Sequence, residues 1–174
     1  MKFAPVHYDD YLNLPKLLTS QKRRSEEFGH EAHDEWLFIT VHQVYELWFF
    51  QIIKELKSLS IIFNKDHIPA RDMGVVSHRL SRVLMIMKSL TIPLDILETM
   101  TPLDFLDFRD YLYPASGFQS GQFRLIETLL GLKESQRHPL QQTPFYEHLK
   151  EPLKSEVIEL LSKPSLYDRI DSWL

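Results

Sequence analysis

Arg109 opens the run Arg109-Asp110-Tyr111-Leu112-Tyr113-Pro114-Ala115-Ser116-Gly117-Phe118-Gln119-Ser120, and about two helices upstream stands His33-Asp34-Glu35-Trp36-Leu37-Phe38-Ile39-Thr40-Val41-His42-Gln43. Together the two runs bring an aromatic ring, an imidazole and a guanidinium within reach of one pocket. That set suits a ligand with a flat apolar body and a carboxylate, because a ring wants an apolar wall and a carboxylate wants a bidentate fork. Phe38 and His42 stand four apart, so on a helix their side chains are adjacent parts of one wall. Glu46 follows one turn on, and His42 also reads as half of a helix-surface His–Glu pair, or as a core histidine satisfied by a neighbour. Arg109 is flanked by Asp107 and Asp110, so a solvated arginine in local ion pairs competes with the functional reading. Its spacing to Phe105 and Leu112 nevertheless places it beside an apolar helix face, where a partly buried guanidinium needs an anion. Ser116-Gly117 offers a hydroxyl and amides that suit an anionic group, or a plain helix N-cap.

Helices must position these residues. From Phe38 the apolar positions run Phe38, Val41, Tyr45, Trp48, Ile52, Leu56 and Leu59 in steps of three or four, the stripe of one long helix. Val76, Leu80, Val83, Leu84, Met87 and Leu90 make a second stripe, ended by Pro93. Thr101 reads as an N-cap, with Pro102 at the first helical position and Asp104 three residues on. The helix it starts carries Phe105, Phe108, Arg109 and Leu112, and Pro114 and Gly117 break it. A fourth begins near Gly117, with Phe118, Gln122, Leu125, Leu129 and Leu130 as its face. The polar stretch from Lys133 to Thr143 reads as a loop, followed by shorter helices at about 144 to 150, 152 to 162 and 165 to 174. The last carries Tyr167, Ile170, Trp173 and Leu174 on or near one face. No strand-like alternation appears, so the expected fold class is all-α, a helical bundle.

Composition narrows the function. The chain has 174 residues, 44% hydrophobic and 12% aromatic, enough for a core without staples. With no cysteine there is no disulfide, thiol chemistry or Cys-based metal site. A formal charge of -4 gives no electrostatic case for nucleic acid. No apolar run approaches the roughly 18 to 20 residues that span a bilayer. Met1-Lys2-Phe3-Ala4-Pro5-Val6-His7 lacks the apolar core of a signal peptide, and a cytoplasmic protein is the expectation. His30, His33 and His42 do not form His-Glu-x-x-His, and no metal site is expected from them.

At these residues the chain resembles the tryptophan 2,3-dioxygenase family. The matching stretches are Tyr8-Asp9-Asp10-Tyr11-Leu12-Asn13-Leu14 with Leu17-Leu18, then His33-Asp34-Glu35 through His42-Gln43 and Tyr45-Glu46-Leu47-Trp48, then Thr101-Pro102-Leu103-Asp104-Phe105 through Gln122-Phe123-Arg124. The resemblance implies a helical, homotetrameric enzyme with haem b. Such an enzyme inserts both atoms of dioxygen across the C2–C3 bond of the L-tryptophan indole to give N-formylkynurenine, the first step of the kynurenine pathway. It implies His42 as the distal catalytic histidine that meets the indole N–H, and Phe38 packed against indole and haem. It implies Arg109 as the fork for the substrate carboxylate, with Phe105 and Leu112 as pocket wall. Ser116 and Gly117 fall where the family approaches the haem and its propionates. Tyr8 and Tyr11 match the segment that, in family tetramers, reaches into a neighbouring subunit's pocket.

Family members are considerably longer. By the same resemblance, the half beyond this chain carries the proximal histidine that binds the haem iron and a Gly-Thr-rich loop that closes over the substrate ammonium. His138 and His148 are the only histidines after Arg109, and neither sits in the tryptophan- and arginine-rich context of that ligand. His138, in a Pro/Gln loop, reads as a surface residue. Residues 1–174 are therefore expected to form a single helical domain, the N-terminal portion of a longer dioxygenase fold, supplying the distal pocket and inactive or poorly active alone. The chain then belongs to a longer enzyme or assembles non-covalently with a second piece. The alternative is a haem-free truncated relative acting as an indole-carboxylate binding or assembly module.

Overall fold

A computed structural model of the chain describes residues 3–65, 67–137 and 144–174, and among these every regular element is a helix. The order is α1 (Tyr8–Leu12), α2 (Leu14–Leu17), α3 (Arg24–Glu27), α4 (Glu35–Ile62), α5 (Ala70–Ser89), α6 (Thr91–Leu97), α7 (Pro102–Leu112), α8 (Gly121–Leu130), α9 (Leu153–Leu161) and α10 (Leu166–Trp173). Short 3-10 turns lie at Gly117–Gln119, Glu134–Gln136 and Phe145–His148. The expectation for His138 lies outside the described residues.

The 28 residues of α4 make an axis about 40 Å long, against which α5, α6, α8 and α10 pack. Its C-terminal half holds the main core: Ile52, Leu56 and Leu59 meet Val76, Val83 and Ile86 of α5, Leu125, Ile126 and Leu129 of α8, Val157 of α9 and Leu166 of α10. Its N-terminal half carries Phe38, whose ring meets Phe105 and the fully buried Phe108 of α7. The stripe read from the sequence thus serves two apolar centres, and Trp48 between them is 40% exposed.

Two boundaries differ from the sequence reading. The second helix ends at Ser89, and Pro93 sits in the first turn of α6 instead of after a helix. There the missing N–H costs nothing, since the first amides of a helix have no intrahelical partner. Leu84 and Met87, expected in the buried stripe, are exposed. The fourth helix starts at Gly121, because Ser116 caps only the 3-10 turn and Ser120 caps again, accepting from Phe123 N–H at 3.2 Å. Phe118 falls outside the helix and is exposed. On α10 Leu166 and Ile170 face the core, and Trp173 on the same side lies edge-on to Phe63 while staying 45% exposed; Tyr167 and Leu174 are exposed.

Candidate active site

The start of α4 is fixed by a buried carboxylate. Glu35 accepts from the backbone N–H of Arg24 at 2.6 Å and of Ser25 at 3.0 Å, and from the Ser25 hydroxyl at 2.5 Å, so its charge is met by three donors without water. α3 in turn leads into a clamp on α7, where Phe28 stacks on Tyr111 at 5.3 Å and His30 Nε2 lies 2.9 Å from Asp107 Oδ1. At its own N-terminus α7 carries the expected capping box: the Thr101 hydroxyl accepts from Asp104 N–H and the Asp104 carboxylate accepts from Thr101 N–H at 3.0 Å. The Thr101 hydroxyl and backbone hold the Asp104 carboxyl below its ordinary pKa.

With both helices held, a cleft of about 690 Å³ opens between them, lined by Phe38, Phe105, Leu106, Arg109, Asp110, Leu112, Tyr113, Pro114, Ala115 and Ser116. Phe38, Phe105 and Phe108 form a triangle of rings with centroids 5.5 to 5.8 Å apart, the spacing of favourable aromatic contacts. Arg109 lies over the Phe105 ring with its guanidinium carbon 5.9 Å from the centroid. The competing reading of Arg109 was an ion pair with a neighbouring aspartate, but Asp107 is turned to His30 and no carboxylate among the described residues lies in ion-pairing range of Arg109.

His42 packs against Phe38, the two ring centroids 4.2 Å apart. Its Nδ1 is 2.7 Å from the Phe38 carbonyl oxygen. A carbonyl can only accept, so Nδ1 carries a proton, and in the neutral form of the ring Nε2 is the acceptor. The His42–Glu46 pair does not form. Glu46 instead accepts from the Ser120 hydroxyl at 2.6 Å and the Gln122 amide at 2.8 Å.

The fold therefore gathers Phe38, Phe105, Arg109, Leu112 and Ser116 at one cleft, with His42 in ring contact with Phe38 and not itself among the lining residues. Gly117 follows at the head of the 3-10 turn, and a Cβ there would meet open space. Ser116 accepts from Phe118 N–H at 3.3 Å, so it is an N-cap whose own O–H remains to donate. Tyr8 and Tyr11 do not line the cleft of their own chain; they are exposed on α1, which packs on α2. The sequence reading missed Leu106, Asp110, Tyr113, Pro114 and Ala115 as lining, and Phe108 as the buried back of the wall. The Phe105-to-Phe108 spacing was a signal for the last of these, while the residues after Leu112 leave the helix and carry no period.

Among the described residues no group of three or more His, Asp or Glu is arranged to hold a metal ion, and no helix is long and apolar enough to cross a membrane. Fold and cleft define the class: an all-helical protein with an aromatic cleft and a guanidinium on its rim. Likeness in sequence gives the particular family. The chain belongs to the tryptophan 2,3-dioxygenase family, which matches residues 2–174. It is 53% identical over 174 residues to the tryptophan 2,3-dioxygenase of Bdellovibrio bacteriovorus, covering 100% of this chain and 48% of that relative. It is 46% identical over 170 residues to that of Alteromonas mediterranea, covering 98% and 47%, and 46% identical over 172 residues to that of Xenopus laevis, covering 96% and 41%. The chain thus spans about half the length of the curated relatives it matches.

Proposed function

We propose that this chain supplies the distal substrate pocket of a haem-dependent tryptophan 2,3-dioxygenase, which opens the indole ring of L-tryptophan with dioxygen to give N-formylkynurenine. The observation that carries the reading is Arg109, a guanidinium over an aromatic ring at the rim of the cleft, with no ion-pair partner among the described residues. A substrate carboxylate would take the fork, and the indole would lie along Phe38, Phe105 and Leu112. The uncommitted Nε2 of His42 would accept the indole N–H and so fix which edge of the ring faces the reacting centre.

Haem suits the same residues. Phe38 and the apolar cleft wall match a flat macrocycle, and the Ser116 hydroxyl with the amide end of the 3-10 turn matches an anionic propionate edge. When bound, haem supplies the oxygen chemistry, and the protein supplies binding and orientation. None of the residues lining the cleft is a histidine, and in this reading the proximal histidine that the family resemblance implies comes from the part of the family fold beyond residues 1–174. Those residues are then one helical domain, the N-terminal portion of the whole. The exposed Phe3, Val6, Tyr8 and Tyr11 support a homo-oligomer in which the N-terminal segment reaches a neighbouring subunit's pocket. A cytoplasmic location belongs to the same reading.

The test is ligand choice. In haem-loaded protein, L-tryptophan and indole-3-propionate bind and displace one another, while tryptamine, which lacks the carboxylate, binds at least about tenfold more weakly. Equal affinity for tryptamine overturns the carboxylate reading. The haem-free binding-module alternative is separated by the iron-free protein, which on the dioxygenase reading holds L-tryptophan far more weakly than the haem-loaded form.

A further inference from the structure

Glu46 stands one turn beyond His42 on α4 and faces two donors across the seam to α8. Ser120 Oγ lies 2.6 Å from one carboxylate oxygen and Gln122 Nε2 lies 2.8 Å from the other; the same Gln122 amide also donates to the Glu46 backbone carbonyl at 2.8 Å. The Ser120 hydroxyl meanwhile accepts from Phe123 N–H as the cap of α8. One hydroxyl therefore carries the link from the Glu46 carboxylate into the first turn of that helix. On its other side the Ser120 amide closes the 3-10 turn on the Gly117 carbonyl at 3.0 Å, the turn that Ser116 begins. Phe49 against Phe123, at 5.5 Å, packs the same seam.

We propose that Glu46 is a positioning residue for the pocket: it locks the Ser116–Ser120 turn at one end of the cleft to the turn of α4 that follows Phe38 and His42. The consequence for ligands rests on the function proposed above, whereas the coupling of the two segments stands on the hydrogen bonds alone. The chemistry demands a carboxylate. Both groups that face Glu46 donate, so an acceptor-only side chain satisfies both, and charge-assisted bonds of this kind are about twice as strong as neutral ones. Glutamine loses the charge assistance and meets Ser120 only by turning that hydroxyl from donor to acceptor, and aspartate falls short by one methylene. Glu46 does not line the cleft itself, so any effect it has on ligands must pass through the segment it holds.

The experiment compares wild type, Glu46→Gln, Ser120→Ala and the double variant in the full-length, haem-loaded protein, by amide hydrogen exchange and by L-tryptophan kinetics. The amides of Gln119, Ser120, Phe123 and Arg124 are expected to exchange about tenfold faster in Glu46→Gln, as for a lost hydrogen bond to a charged group. KM for L-tryptophan is expected to rise several-fold with kcat little changed, the pattern of weakened binding. The two substitutions should be less than additive at Gln119 and Ser120, because both remove the Ser120–Glu46 bond, while Ser120→Ala alone also removes the cap on Phe123 N–H. Unchanged exchange at those four amides, or fully additive effects, overturns the inference. If Glu46→Gln does not fold, Glu46→Asp, which falls short of both donors and leaves the Ser120 cap in place, decides instead. A wild-type protein that binds neither haem nor tryptophan overturns the proposed function, and the exchange comparison still rules on Glu46.

Discussion

Arg109 and His42 offer a ligand opposite things: a fixed fork of donors over an aromatic face, and a single lone pair whose direction is set by the bond from Nδ1 to the Phe38 carbonyl. Arg109→Lys keeps the charge and loses the planar fork. KM for L-tryptophan in haem-loaded enzyme is therefore expected to rise by about tenfold or more, with a smaller fall in kcat. An unchanged KM would sink the fork. His42→Ala removes one acceptor for the indole N–H and should lower turnover by about tenfold, the worth of one such bond. The adjacency of Phe38 to His42, and of Arg109 to Phe105 and Leu112, was legible in the sequence because the helical period alone makes neighbours of residues three and four apart. What freed Arg109 was not legible. Asp107 is occupied by His30, 77 positions away, and Glu46 is taken from His42 by Ser120, 74 positions away. Such partners are chosen by tertiary packing, which no local spacing encodes.

At the scale of elements, α4 and α5 are joined by a charge cluster that the hydrophobic stripes gave no sign of. Glu55, only 5% exposed, accepts from Arg82 at 2.6 Å and Gln51 at 2.7 Å, with Arg79 at 3.7 Å. Burial pushes its carboxyl pKa up, but the hydrogen bonds from Arg82 and Gln51 and the charges of Arg82 and Arg79 outweigh it and leave the group below its ordinary 4.5. A carboxyl whose folded pKa is depressed stabilises fully above its unfolded value and loses that contribution as pH falls through the folded one. Glu55→Ala should cost about 1 to 2 kcal/mol at neutral pH, since Arg82 and Arg79 lose their carboxylate but are partly open to water. The melting-temperature gap between wild type and Glu55→Gln should narrow as pH drops from 5 to 3, and a constant gap would contradict the assignment. Gly131 tests another boundary. It ends α8 at φ 97°, and an added Cβ would stand 2.5 Å from Ser165 Oγ and 3.0 Å from Ser165 Cβ at the start of α10. Gly131→Ala is expected to lower stability by more than the roughly 1 kcal/mol of an ordinary left-handed cap, measured by denaturant midpoint. The helices themselves were readable from stripes and caps. Their ends were not where two caps compete, as Ser116 and Ser120 do four residues apart.

The whole molecule exposes more surface than its mass warrants. A compact chain of 20.7 kDa presents about 8,900 Å² by the usual scaling, whereas these residues present 12758 Å². Part of the excess is apolar and concentrated on consecutive elements: Leu84, Met85 and Met87 of α5, Ile92, Leu94 and Ile96 of α6, Leu103 and Leu106 of α7 are all more than two-fifths exposed. Exposed apolar side chains in this number suit burial against further polypeptide. Expressed as these 174 residues alone, the protein should therefore associate at micromolar concentration and bind a hydrophobic dye strongly. It should also hold haem without a stoichiometric, histidine-ligated Soret band, since burial and propionate contacts are then all that retain the porphyrin. Sedimentation velocity and an absorption spectrum on one preparation check both. A dye-silent monomer would mean that the α5–α7 face closes on itself in solution, and a full Soret band abolished by His42→Ala or His148→Ala would mean that this chain contains its own iron ligand.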